Sequence, residues 1–242
     1  MPLPRFAVGF APRVFIASGL AAAPMMVAPA ADPKPRKALG EPNPAFLDAI
    51  PAPYRPAVAA VIRTPTISAR ASETPFAARP AEYDFLVEHP DRAAVAWRRL
   101  DIPCVPITDL GNNRWAWTDD KGSELTWQVV AKFADGVVWL ATGKVKAGPV
   151  LSAVPVQAVA VLRYPRAPFE GDPAAALFEP SVHVYLQTDS RAAATLLRLA
   201  GPAAPRMAEQ GAEQLMLFFS GPARWTYEHP GDAARLLAPV GK

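Results

Sequence analysis

Histidine and cysteine, the side chains that most often carry acid–base, nucleophilic or metal chemistry, number only 3 and 1 in 242 residues. His89, His183 and His229, with Glu88 and Glu228, are the natural candidates for a metal site. No two of these histidines have ligand spacing, however, and two of them precede proline at the start of an expected helix. Cys104 lacks a base in its own stretch, and a thiol needs an activating neighbour, so it reads as buried and inert. A lone cysteine also excludes an intramolecular disulfide and any multi-thiolate metal centre. Asp119-Asp120 beside Gly122 reads as a turn, and Asp84 with Glu88 as a solvated helix face. No phosphate loop, dinucleotide glycine motif, nucleophile elbow or HExxH is found. No catalytic residue, metal ligand or cofactor is assigned. The remaining signal is aromatic: Trp115, Trp117, Trp127 and Trp139 are four of the six tryptophans. They either fill one face of a sheet or wall an apolar pocket.

The positioning elements follow from pattern and punctuation. Thr66–Ala71 reads as a strand with Ile67, Ala69 and Ala71 on one face. Pro80–Glu88 and Asp91–Leu100 read as two short helices, Pro80 in a first turn and Asp91 as an N-cap. Period-two alternation then predicts strands over Arg114–Asp119, Ser123–Phe133, Val137–Lys146, Ser152–Tyr164 and Ser181–Thr188. Pro155 predicts an edge or a bulge in its strand. Short turns at Asp120-Lys121-Gly122 and Ala134-Asp135-Gly136 make the neighbours antiparallel. Helices are expected over Arg191–Ala200, Met207–Phe219 and Asp232–Leu237. The apolar positions of the middle one are Met207, Gly211, Ala212, Leu215, Met216, Phe218 and Phe219.

The N-terminal part differs in composition. Arg5 and Arg13, an apolar stretch from Val14 to Val27 and Ala28-Pro29-Ala30 follow the order of a secretory signal, so residues 1–31 are expected to be removed. That order predicts a periplasmic or secreted protein. The apolar stretch is too short to span a bilayer, and the mature chain is expected to touch a membrane, if at all, without a spanning helix. Residues 32–63 read as a Pro/Ala-rich linker with short helices at Ala45–Ile50 and Arg55–Ile62, docking through Phe46, Leu47, Val58, Val61 and Ile62. Loss of the leader takes two of the 25 basic residues and none of the 22 acidic ones, leaving the body close to neutral. That balance argues against nucleic acid as a partner.

A first strand, two short helices, an antiparallel meander and a long amphipathic helix is the helix-grip order. Through Tyr83–Leu100 (YDFLVEHPDRAAVAWRRL), Trp115–Tyr164 and Val182–Gly201 leading to Met207–Phe219, residues 64–242 resemble the START-like superfamily of lipid-transfer domains, polyketide cyclases and birch-pollen allergens. The resemblance implies an α+β fold in which a curved antiparallel sheet wraps around the C-terminal helix, with an apolar ligand held between them. Alternation puts Trp127 and Trp139 on the face carrying Leu125, Phe133 and Val137. Their apolar partners across the gap are expected to come from Leu215, Phe218 or Phe219. The expected lining is therefore Trp127, Trp139, Phe133, Leu215, Phe218 and Phe219. The leading expectation is non-catalytic binding of a lipid or other hydrophobic small molecule. The rivals are a cyclase- or hydrolase-like enzyme of the same fold, and a solid-core interaction module.

Overall fold

The computed structural model describes residues 45–120, 122–146, 153–188, 201 and 204–238. The expected leader at 1–31 and the helix over Arg191–Ala200 lie outside them. Elements follow in the order α1 (Ala45–Asp48), α2 (Arg55–Arg63), β1 (Ile67–Ser72), β2 (Phe76–Ala78), α3 (Pro80–Glu88) and α4 (Pro90–Arg99). The strands β3 (Thr108–Gly111), β4 (Arg114–Thr118), β5 (Glu124–Phe133), β6 (Gly136–Val145) and β7 (Val154–Arg163) come next. The chain continues through β8 (Arg166–Pro168), β9 (Ala176–Phe178), β10 (Ser181–Thr188), α5 (Ala204–Glu228) and α6 (Ala233–Leu237).

Seven strands form one antiparallel sheet in the order β1-β10-β7-β6-β5-β4-β3. The fold is α+β, with a large antiparallel sheet and a long C-terminal helix. A second sheet, in the order β2-β9-β8, is built from three antiparallel strands of three residues each. β3, which the alternation pattern does not predict, pairs with β4 across Asn112 and Asn113, whose φ of 54° and 55° suit a tight two-residue hairpin turn. Pro155 sits inside β7, a central strand, but pairing with β10 ends at Val156 and Thr188. At Pro155 the strand is therefore paired on the β6 side alone, with Lys144, so its missing N–H costs no ladder bond.

The two faces of the large sheet are covered differently. α1 and α2 lie on the outer face, where Ile50, Val58 and Val61 meet Val130, Val138, Leu140, Val159, Val161 and Tyr185, and Phe46, Leu47 and Ile62 pack around them. The linker helices thus seal a face that an amphipathic sheet cannot leave open. On the inner face, α3, α4 and α5 cover Ala69, Ala71, Val137, Trp139, Leu162 and Val182. The stripe of α5 that meets them is Ala212, Met216, Phe219 and Ala223, spaced at helical period. Met207, expected on this stripe, is 44% exposed because the helix begins at Ala204 and its first turns project beyond the core.

α5 runs on through Pro222. Proline has no N–H, so the carbonyl four residues back, Phe218 O, loses its helical donor. The indole Nε1 of Trp97 on α4 donates to that oxygen at 2.9 Å. The ring lies where a Gly221 side chain would be: a Cβ there would stand 2.5 Å from Trp97 Cη2. One tryptophan thereby repairs the helix and locks α4 against it.

The repeated His-Pro pairs have a related structural role. His89 follows α3 and packs with its ring tilted against Phe85 four residues earlier, centroids 4.7 Å apart. His229 follows α5 and stacks on Trp225 at 3.7 Å. In the first pair Pro90 opens the next helix and His89, not Asp91, occupies its N-cap. Asp91 falls inside the first turn because proline at the first helical position needs no donor.

Candidate functional site

Register places the expected lining residue by residue. Trp115 pairs with Trp127 and Trp117 with Leu125, while Val129 pairs with Trp139. All six occupy the inner face. Trp139 is 4% exposed and stacks on Phe219 of α5, centroids 5.5 Å apart and planes within 14°. Phe218 meets Phe219 edge-on at 4.9 Å, and Leu215 packs half-buried against the same core. Trp127 is half-buried and stacks on Trp115 at 6.3 Å. The structure thus joins Trp139 to Phe219, with Trp127 and Leu215 on the same layer.

Phe133 departs from the expectation. The β5–β6 register shifts between Val129 and Ala131, so two residues of β5 oppose one step of β6. Each added residue reverses the alternation beyond it. Phe133 therefore packs on the outer face with Val130 and Ala131, under the guanidinium of Arg163 at 5.3 Å.

Other lining residues become apparent only when strands are placed side by side. On the inner face Trp139 is level with Ala160, Ala141 with Ala158, and Gly143 with Val156. Val184 is level with Ala160 and Leu186 with Ala158. Small side chains at the sheet centre form a low floor between Trp127 and Trp139 on one side and Val184 and Leu186 on the other. At Gly143 the strands approach so closely that a Cβ would stand 2.9 Å from Leu125 Cα, and nearer still to Glu124 O. Leu125, Trp127, Val129, Gly143, Ala158, Ala160, Val184, Leu186 and Leu215 are all half-buried rather than sealed. A contiguous apolar strip under a helix thus keeps part of its surface accessible. A separate open groove of about 400 Å³ lies against α2, lined by Ala52, Arg55, Pro56, Ala59, Ala60 and Arg63.

The ionisable groups lie around this strip. Glu73 and Arg224 form an ion pair beside Phe76, whose ring centre is 4.4 Å from the guanidinium. Tyr83, fully buried, stacks on Phe178 at 4.7 Å, and its hydroxyl has no hydrogen-bond partner. Burial, and then the charge of Glu73, drive its phenol far above the usual range. Tyr164 is pushed up to about 12 by burial and then by Asp84, and burial raises the Cys104 thiol to about 11. On the outer face, His183 lies 2.6 Å from Tyr185 Oη and 3.2 Å from Arg70 Nε. Burial and then Arg70 lower it to about 4. Each of these shifts moves away from neutrality, opposite to what general acid–base work near pH 7 asks. Among the described residues, no group of three His, Cys, Asp or Glu side chains could hold a metal ion, and no helix is long and apolar enough to cross a membrane.

No family model matches this sequence, and no curated protein matches it. Among solved structures, the chain is similar to a conserved protein from Geobacillus kaustophilus, at 12% identity and a TM-score of 0.40. That match covers 69% of this chain and 97% of the other. It is also similar to the terminal oxygenase of carbazole 1,9a-dioxygenase from Novosphingobium sp. KA1, at 10% identity and a TM-score of 0.25, covering 84% of this chain and 58% of that one. Likenesses of this size carry no argument about what the chain does.

Proposed function

We propose that this chain is a START-like, helix-grip protein that binds a lipid or other hydrophobic small molecule between its large sheet and α5, without catalysis. The carrying observation is the half-buried apolar strip from Leu125, Trp127 and Val129 across Ala158 and Ala160 to Val184 and Leu186, roofed in part by Leu215. Covering such surface with an apolar ligand is favourable by about 25 cal/mol per Å². The small residues at the centre support this reading, since a solid core would place large ones there. The pKa shifts give no support to the enzyme reading.

The test is titration with a fluorescent acyl probe, followed by its own emission and by tryptophan fluorescence, in the parent and in Trp127→Ala. Saturable binding that Trp127→Ala weakens tenfold or more, at small cost in stability, supports the proposal. Failure of the parent to bind, with a large stability loss in Trp127→Ala, replaces it with a solid-core interaction module. Export to the periplasm or the medium is part of the same proposal, resting on Arg5, Arg13 and Ala28-Pro29-Ala30. N-terminal sequencing of material from an exporting host should begin near Ala31 or Asp32. Soluble cytosolic protein with an intact Met1 would reject that part.

A further inference from the structure

We propose that α1 and α2 form an acid-released clasp on the outer face of the large sheet, shut while His183 is neutral and opened when it takes up a proton. The device is independent of the binding strip, which lies on the opposite face. His183 stands on β10 opposite Arg70 of β1 and Val161 of β7, two residues from Tyr185 on the same face. Its Nδ1 lies 2.6 Å from the Tyr185 hydroxyl, and Arg70 Nε donates to the ring at 3.2 Å. A neutral imidazole offers the guanidinium an acceptor nitrogen, whereas an imidazolium has only donors, as Arg70 does. Tyr185 joins this polar group to the outer core, where it is buried with Ile50, Val58 and Val61 of the α1–α2 segment. Gln187 of β10 ties down the end of the segment by donating to Thr64 Oγ1 at 2.9 Å. Among the other ionisable groups on these elements, Arg163 of β7 is paired with Asp135 at 2.7 Å, and Arg55 donates to the carbonyls of Asp48 and Ile50. Asp48 and Arg63 are exposed, and Tyr54 is half-buried in the same layer. Burial, and then the charge of Arg70, hold His183 down to about 4. The ring therefore takes up a proton readily only once water reaches it, and among the described residues α1–α2 is the layer that covers this face. As pH falls from about 6.5 towards 4, the open form binds a proton that the closed form refuses, and the clasp loosens. Its release bares Val138, Leu140, Val159 and Val161.

The test is hydrogen–deuterium exchange on the full chain, expressed as protection factors so that the pH dependence of chemical exchange cancels. A folded pKa of about 4 against an ordinary 6.5 predicts that protection of the α2 amides falls roughly a hundredfold between pH 7 and pH 4. Protection of β6, β7 and the Met216–Ala223 stretch of α5 should fall much less. His183→Gln removes the titration and should leave α2 protection flat over the same range. Arg70→Gln removes the opposing charge but not the burial, so it should shrink the fall without abolishing it. This second variant decides by itself if His183→Gln does not fold. An unchanged α2 protection in the parent overturns the proposal, as does a fall shared equally by α2 and the sheet, which is global acid unfolding. The same fall in the parent and in either variant overturns it too.

Discussion

Replacing Gly221 by alanine is expected to destabilise the protein, although alanine is the better helix former. A Cβ at this position would stand 2.5 Å from Trp97 Cη2, well inside contact distance, so the indole must move. The indole is also the donor that Pro222 leaves Phe218 O without, at 2.9 Å from Nε1. Overpacking of this kind costs about 1–3 kcal/mol, and an unpaired carbonyl about 1–3 kcal/mol more. The gain in helix propensity from glycine to alanine returns about 1 kcal/mol. The net loss should be about 1–5 kcal/mol, read as a lower urea midpoint at unchanged m-value. In a Trp97→Leu background nothing stands in the way of the new methyl. There, Gly221→Ala should be neutral or stabilising by up to about 1 kcal/mol. A reversal of sign between the two backgrounds is the signature of direct coupling. A stabilising Gly221→Ala in the parent, or the same cost in both backgrounds, would refute the reasoning.

Tyr83→Phe should be neutral or stabilise by about 1–2 kcal/mol, since it deletes a buried hydroxyl with no partner; a loss above 2 kcal/mol on chemical denaturation would show a missed partner. Phe133→Ala should lower stability by about 1–3 kcal/mol, for a half-buried ring on the outer face, yet leave acyl-probe affinity within twofold; a tenfold loss of affinity would return Phe133 to the lining. His183 has a folded pKa of about 4 against an ordinary 6.5. The unfolded chain therefore takes up a proton that the folded one refuses, and stability falls as pH drops from about 6.5 to 4. His183→Gln should lose less stability than the parent between pH 7 and pH 4.5, and equal losses would contradict the assignment. Cys104, its thiol raised by burial, should resist iodoacetamide at pH 7.5 until the protein unfolds, whereas rapid labelling of the native protein would contradict this.

Where local physics decides an element, the sequence was readable. Pro80 opens its helix because proline suits a first turn, and Ser181–Thr188 alternates Val182, Val184 and Leu186 on the inner face with His183, Tyr185 and Gln187 on the outer. Two periodicities read separately put Trp127 and Trp139 opposite Leu215, Phe218 or Phe219, and of these the ring that Trp139 stacks on is Phe219. What local pattern could not show is register. The bulge at Val130 carries no glycine or proline to mark it, yet it moves Phe133 to the opposite face. The floor of Ala141, Gly143, Ala158 and Ala160 exists only once β6, β7 and β10 are aligned, since each alanine alone is an unremarkable strand residue. The small β2-β9-β8 sheet escaped for the same reason: strands of three residues lack a period, and long-range pairing alone defines them. Likewise, Trp97 capping the carbonyl freed by Pro222 joins residues 121 apart in the chain.

The central claim is that the small-residue floor is ligand space, and filling it tests that claim most directly. Ala160→Phe places a ring beside Trp139 and Val184, on the strip that a ligand would cover. Methyl laurate should be titrated against the parent and this variant, with thermal stability measured on the same samples. If the space is a ligand site, the phenyl ring takes the ligand's place: affinity should fall at least tenfold while Tm is unchanged or higher. If Ala160→Phe lowers Tm sharply because no space exists, or leaves methyl laurate affinity unchanged, the account is contradicted.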